Sequence, residues 1–83
     1  MRLTDEQTAQ LVDMGFQVYK RLYCVYHYPT PDRGWSTQAL RIDADKESDK
    51  WHARINSSAV KGAFDCPIAA AVWLILEAEN AVH

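Results

Sequence analysis

The residues able to do chemistry are few and scattered. His27, His52 and His83 are the only side chains whose ordinary pKa suits proton transfer near neutral pH. None has a cysteine or carboxylate at metal-ligand spacing. Cys24 and Cys66 are far apart and form no Cys-x-x-Cys pair, so a zinc site lacks its converging ligands. Cys66 stands near the start of an apolar helical segment, a position that can activate a thiol if a histidine such as His52 or His27 folds beside it. No orienting signature surrounds it, and packing or helix capping is the simpler role. Asp43, Asp45, Glu47 and Asp49 alternate as the first four ligands of a calcium loop do. That loop also needs glycine at its sixth position and a bidentate glutamate at its twelfth, where this chain has Ser48 and Arg54. The segment therefore reads as a solvated acidic loop that can dock on a basic surface. Gly15, Gly34 and Gly62 are isolated and build no phosphate-binding loop. Neither a Ser-His-Asp arrangement nor a carboxylate pair is placed together, and no cofactor is implied. An enzyme is not expected.

The elements that position these residues are those of one small domain over residues 1–83. A chain of 83 residues buries only about 60–65% of its unfolded surface, so its stability margin is thin. An apolar content of 48% nevertheless excludes a disordered chain. The net charge of −2 argues against a general nucleic-acid binder, which carries a basic excess. The polar, acidic start is not a targeting peptide, and the longest apolar run, Pro67 to Leu76, is half of a membrane span. A cytoplasmic protein with reduced thiols, bound to no membrane, is expected.

Thr4, followed by Asp5, Glu6 and Gln7, predicts a capped helix start. Val12, Phe16, Tyr19, Tyr23 and Tyr26 then recur at helical spacing. With no turn residues before the β-forming stretch at 22–28, the pattern favours a helix to about residue 26; a separate strand at 22–28 is the alternative. Pro29 and Pro31 enforce a break. Residues 36–43 and 51–56 alternate with period two and predict a hairpin around the polar loop at 44–50. A third strand near Val60 or a plain connection follows. Pro67 opens a final helix, apolar all round as far as Leu76, which should be covered on more than one side. The hairpin together with the first helix, or a second copy in a homodimer through residues 67–76, would cover it. The fold class is α+β: a small antiparallel sheet of two to three strands flanked by an N-terminal and a C-terminal helix, in the order α-β-β-(β)-α.

Two resemblances follow. With residues 22–28 as a strand, the layout ending in Val60-Lys61-Gly62-Ala63-Phe64 and an alanine-rich helix resembles a double-stranded-RNA-binding domain. The lysine cluster which that family places at its last helix is replaced here by Asp65-Cys66-Pro67-Ile68-Ala69. In size, acidity, compact α+β layout and its ending Asp65-Cys66-Pro67-Ile68-Ala69-Ala70-Ala71-Val72-Trp73-Leu74, the chain also resembles the small orphan proteins of phages and mobile elements, anti-CRISPR inhibitors among them. That likeness implies a stoichiometric inhibitor of a host protein or nucleoprotein complex. Its expected contacts are the acidic residues Asp32, Asp43, Asp45, Glu47 and Asp49, with Tyr28 and Trp35 as aromatic anchors. The alternative is a small nucleic-acid-binding regulator that uses Arg41, His52 and Arg54 on the polar face of the hairpin.

Overall fold

The structure, a computed structural model, describes residues 2–29, 37–56 and 58–82. Its elements are α1 (Asp5–Asp13), β1 (Gln17–Tyr19), β2 (Tyr23–Pro29), β3 (Thr37–Ala44), β4 (Trp51–Ile55), β5 (Ser58–Phe64) and α2 (Pro67–Val82). The strands form one antiparallel meander in the order β1-β2-β3-β4-β5. The α+β layout is the expected one, but the sheet has five strands where two to three were expected.

The expected capping box closes α1. Thr4 Oγ1 accepts from the Gln7 N–H at 3.1 Å, and Gln7 Oε1 accepts from the Thr4 N–H at 3.0 Å. The helix then stops at Asp13, and the expected continuation to residue 26 is corrected. The cause is Gly15, whose φ of +106° takes the chain out of the helix. The Gly15 N–H donates to Val12 O and the Phe16 N–H to Leu11 O, while the Phe16 and Leu11 side chains are both buried. Together these bonds and contacts make a Schellman motif with its hydrophobic partner pair. The alternative strand at 22–28 is the one realised, as β2. Lys20 and Arg21, with φ of +53° and +60°, form a type I′ turn between β1 and β2, closed by the Leu22 N–H on Tyr19 O at 3.0 Å.

Strand alternation sorts the side chains. Cys24, Leu40, Ile42, Trp51 and Ala53 point to one face and meet Leu11 of α1 and Ala70, Ala71, Leu74 and Ala78 of α2. Both helices therefore lie on that face, as expected. Of the hairpin faces predicted for residues 36–43 and 51–56, those of 37–43 and 51–55 hold, with Arg41, His52 and Arg54 opposite the core; residue 36 lies outside the described residues. In β5, Trp51 pairs with Phe64 but Ala53 with Lys61, so an extra residue bulges out where Ala63 takes φ +65°. The bulge makes this edge a poor template for another strand.

Burial on the core face pushes the Cys24 thiol up to about 12, while Cys66 is exposed. In α2 the outward Val72 and Leu76 keep 46% and 53% of their surface. The expected cover on more than one side comes from the β3–β4 hairpin and α1, and these two positions stay outside it. Among the described residues, no helix is long and apolar enough to cross a membrane.

Candidate functional site

The helix-free face of the sheet carries a continuous ladder of side chains. It starts at the β1–β2 hairpin, where Tyr19 and Tyr23 are directly opposed and their rings stack at 5.1 Å and 18°. Arg41 on β3 lies diagonal to Tyr23 and sets its guanidinium 4.4 Å from that ring centre. The same guanidinium donates through Nε to both oxygens of Asp43, at 2.9 and 3.0 Å. On β4, Arg54 is the register partner of Arg41 and reaches Asp43 Oδ2 with its Nε at 3.5 Å. Two like charges opposed across a strand pair repel, and Asp43 is the carboxylate that holds them side by side.

His52 completes the arrangement. It opposes Asp43 in register, and its Nε2 lies 3.1 Å from Asp45 Oδ2. Asp45 also accepts from the Glu47 N–H at 3.0 Å and from the Ser48 hydroxyl at 2.9 Å. The Glu47 amide, then the His52 and Ser48 hydrogen bonds, hold its carboxyl down at about 2. A carboxyl lowered in the folded state contributes above its unfolded pKa and loses that contribution as pH falls through the folded value. The bonds that fix the 45–48 turn should therefore be complete above about pH 4 and open around pH 2. The Glu47 amide shift followed by NMR against pH is the check, and a midpoint near 4 would contradict it.

The space His52 occupies exists because residue 62 is glycine. A Cβ there would stand 2.5 Å from His52 Nδ1 and 2.9 Å from its Cε1. Because His52 is half-exposed, Gly62→Ala should swing the imidazole outward rather than unfold the sheet, at a cost of about 1 kcal/mol. Loss of the His52–Asp45 contact in NMR spectra, with the core resonances unmoved, is the expected result.

Arg41, Asp43, Asp45, Lys46, Glu47 and Arg54 line an open groove of about 720 Å³. Three cations meet three carboxylates in it, so the groove is balanced in charge rather than basic. A hollow lined by Leu22, Tyr23 and Arg41 adjoins it.

The sequence-predicted residues fall into separate groups. Arg41, His52 and Arg54 come together on one face. Asp43 and Asp45 are tied within the same cluster, which leaves Glu47 and Asp49 as exposed carboxylates of the loop. Asp32 and Trp35 lie outside the described residues. Tyr28 is on the core side, edge-to-face with Tyr26 at 5.7 Å, and partial desolvation followed by the nearby Glu79 carboxylate raises its phenol pKa. It therefore stands apart from the acidic loop. Tyr19 and Tyr23 join this face although their spacing in the sequence fits a helical stripe.

Among the described residues, no group of three or more His, Cys, Asp or Glu could hold a metal ion. Among the described residues, the partner of the His52 imidazole is Asp45 and not Cys66. In comparison with known proteins, no family model, no curated protein and no solved structure matches this chain.

Proposed function

We propose that this chain is a non-enzymatic protein-binding module that docks through the helix-free face of its sheet. The observation that carries this reading is the ladder Tyr19–Tyr23–Arg41–Asp43–Arg54, in which aromatic and guanidinium groups are already held in place. Side chains fixed before association lose less entropy on binding, and Tyr and Arg dominate binding energy at protein interfaces. Charge balance in the groove favours a partner of mixed charge, as a protein surface is, over a polyanion. The exposed Glu47 in the groove wall and Asp49 in the same loop favour rapid docking on a surface with basic residues. Small size, a net charge of −2 and the α+β layout support a narrower form of the proposal. In that form the chain is a phage-type inhibitor that covers a surface of a CRISPR-type defence complex in a host cytoplasm.

The test is a pull-down from the native host's lysate, with and without nuclease, using the wild type and a Glu47→Lys/Asp49→Lys/Arg54→Glu variant. Asp45 stays intact in that variant because it fixes the turn. A stoichiometric protein that survives nuclease and is lost with the variant supports the reading. Retention by the variant would sink the interface.

A second reading, a nucleic-acid-binding regulator, is supported by the shared face of Arg41, His52 and Arg54 and by the neighbouring tyrosine stack. It requires binding that weakens steeply with salt and is lost in Arg54→Glu. Asp43 and Asp45 weigh against it, since they occupy the same basic groups.

Self-association through α2 has less to support it. Val72 and Leu76, two half-exposed side chains per copy, fall well short of the roughly 1,000 Å² that a specific interface buries. A monomeric mass at micromolar concentration is expected, and a dimer would overturn this assignment.

A further inference from the structure

We infer that Arg41, Asp43 and Arg54 form a receptor for one carboxylate of the docked protein, an Asp or Glu side chain or a chain terminus. This rests on the protein-binding reading and names the chemistry of its anchor. Two guanidiniums share a single carboxylate, so the triad keeps one unit of positive charge. Both contacts to Asp43 are made through Nε. Among the described residues, the terminal nitrogens of neither arginine have a hydrogen-bond acceptor. The Nε bonds to Asp43 and the Tyr23 ring over which the guanidinium lies hold Arg41 in place, so its remaining donors are aimed before a ligand arrives. The arginine side chains are 43% and 46% exposed, and the groove leaves them open to a ligand. Planar guanidinium donors in fixed positions match a carboxylate in shape. One excess charge matches a monoanion, and Asp45 and Glu47 at the edge repel a chain of phosphates. The opposed arginine pair, which costs stability when empty, is relieved when the anion enters.

The experiment is an NMR titration of the Arg41 and Arg54 Nε–H signals in the whole chain, with N-acetylglutamate α-amide as the carboxylate probe. Sodium chloride at matched ionic strength is the control. The proposal expects saturable shifts of both signals with half-saturation in roughly the millimolar range. It expects at least a tenfold loss of affinity in both Arg54→Gln and Arg54→Lys, the second of which keeps the charge but not the fork. Shifts that chloride reproduces, or that survive both variants, would overturn it. So would a single-stranded oligonucleotide that binds the same signals more than tenfold tighter with a steep salt dependence. If the probe fails while a nuclease-resistant partner is still lost on Glu47→Lys/Asp49→Lys, the anchor is wrong and the binding-module reading stands.

Discussion

Phe16→Ala should lower the stability of this domain by about 3–5 kcal/mol, the usual loss for removing a buried phenylalanine. Phe16 keeps only 2% of its surface and packs edge-to-face on Tyr26 at 5.5 Å. It also closes the Schellman motif against Leu11, so the change removes the contact that ends α1 as well as core volume. A domain of this size is stable by only about 4–12 kcal/mol in all. Urea unfolding followed by tryptophan fluorescence should show the midpoint falling by an amount that matches about 3–5 kcal/mol. A loss under about 1 kcal/mol would mean that the helix end is not organised around Phe16.

Arg41→Ala should weaken partner binding by about 30-fold or more, the effect of removing a central arginine anchor worth at least ~2 kcal/mol. Arg41 is the member of the ladder that touches both the ring of Tyr23 and the carboxylate of Asp43. Its removal breaks the ladder in the middle. Stability should change by about 1 kcal/mol or less, because the pair is partly exposed and Arg54 still neutralises Asp43. Calorimetry with the captured partner would measure the first effect and urea unfolding the second. Lys46→Ala at the rim should alter affinity only about twofold. Equal effects of the two substitutions would remove the anchor role of Arg41.

The parts of this fold legible in the sequence were those with local, redundant signals. Thr4 and Gln7 announce the start of α1, Pro67 the start of α2, and the alternation over residues 36–43 and 51–56 points to both the hairpin and its polar face. The β1–β2 hairpin was not legible, for two physical reasons. Its turn is made by Lys20 and Arg21 in left-handed geometry, where asparagine and glycine are the usual signals. Its strands also place apolar residues at positions that mimic a helical stripe through Phe16, Tyr19 and Tyr23. One signal was present and was read otherwise. Gly15 followed by Phe16, four and five residues after Leu11, is the composition of a helix stop, yet Phe16 also fits the helical stripe.

The same error hid half of the candidate site. Arg41, His52 and Arg54 were placed on a common face because register follows from alternation. Tyr19 and Tyr23 could join them only once β1 and β2 were strands. Nor could the sequence distinguish Asp43 and Asp45, bound to Arg41, Arg54 and His52, from Glu47 and Asp49 in the same acidic run. That distinction depends on strand register and on the room at Gly62, both of which are tertiary facts.

The most direct test of the central claim is site-specific photo-crosslinking in the native host. A benzoylphenylalanine would replace Tyr19 on the helix-free face in one variant and Val72 on the outer face of α2 in another. The account predicts a protein crosslink, insensitive to nuclease, from position 19 and none from position 72. A crosslink from position 72 with none from position 19 would place the partner on the helices and contradict it.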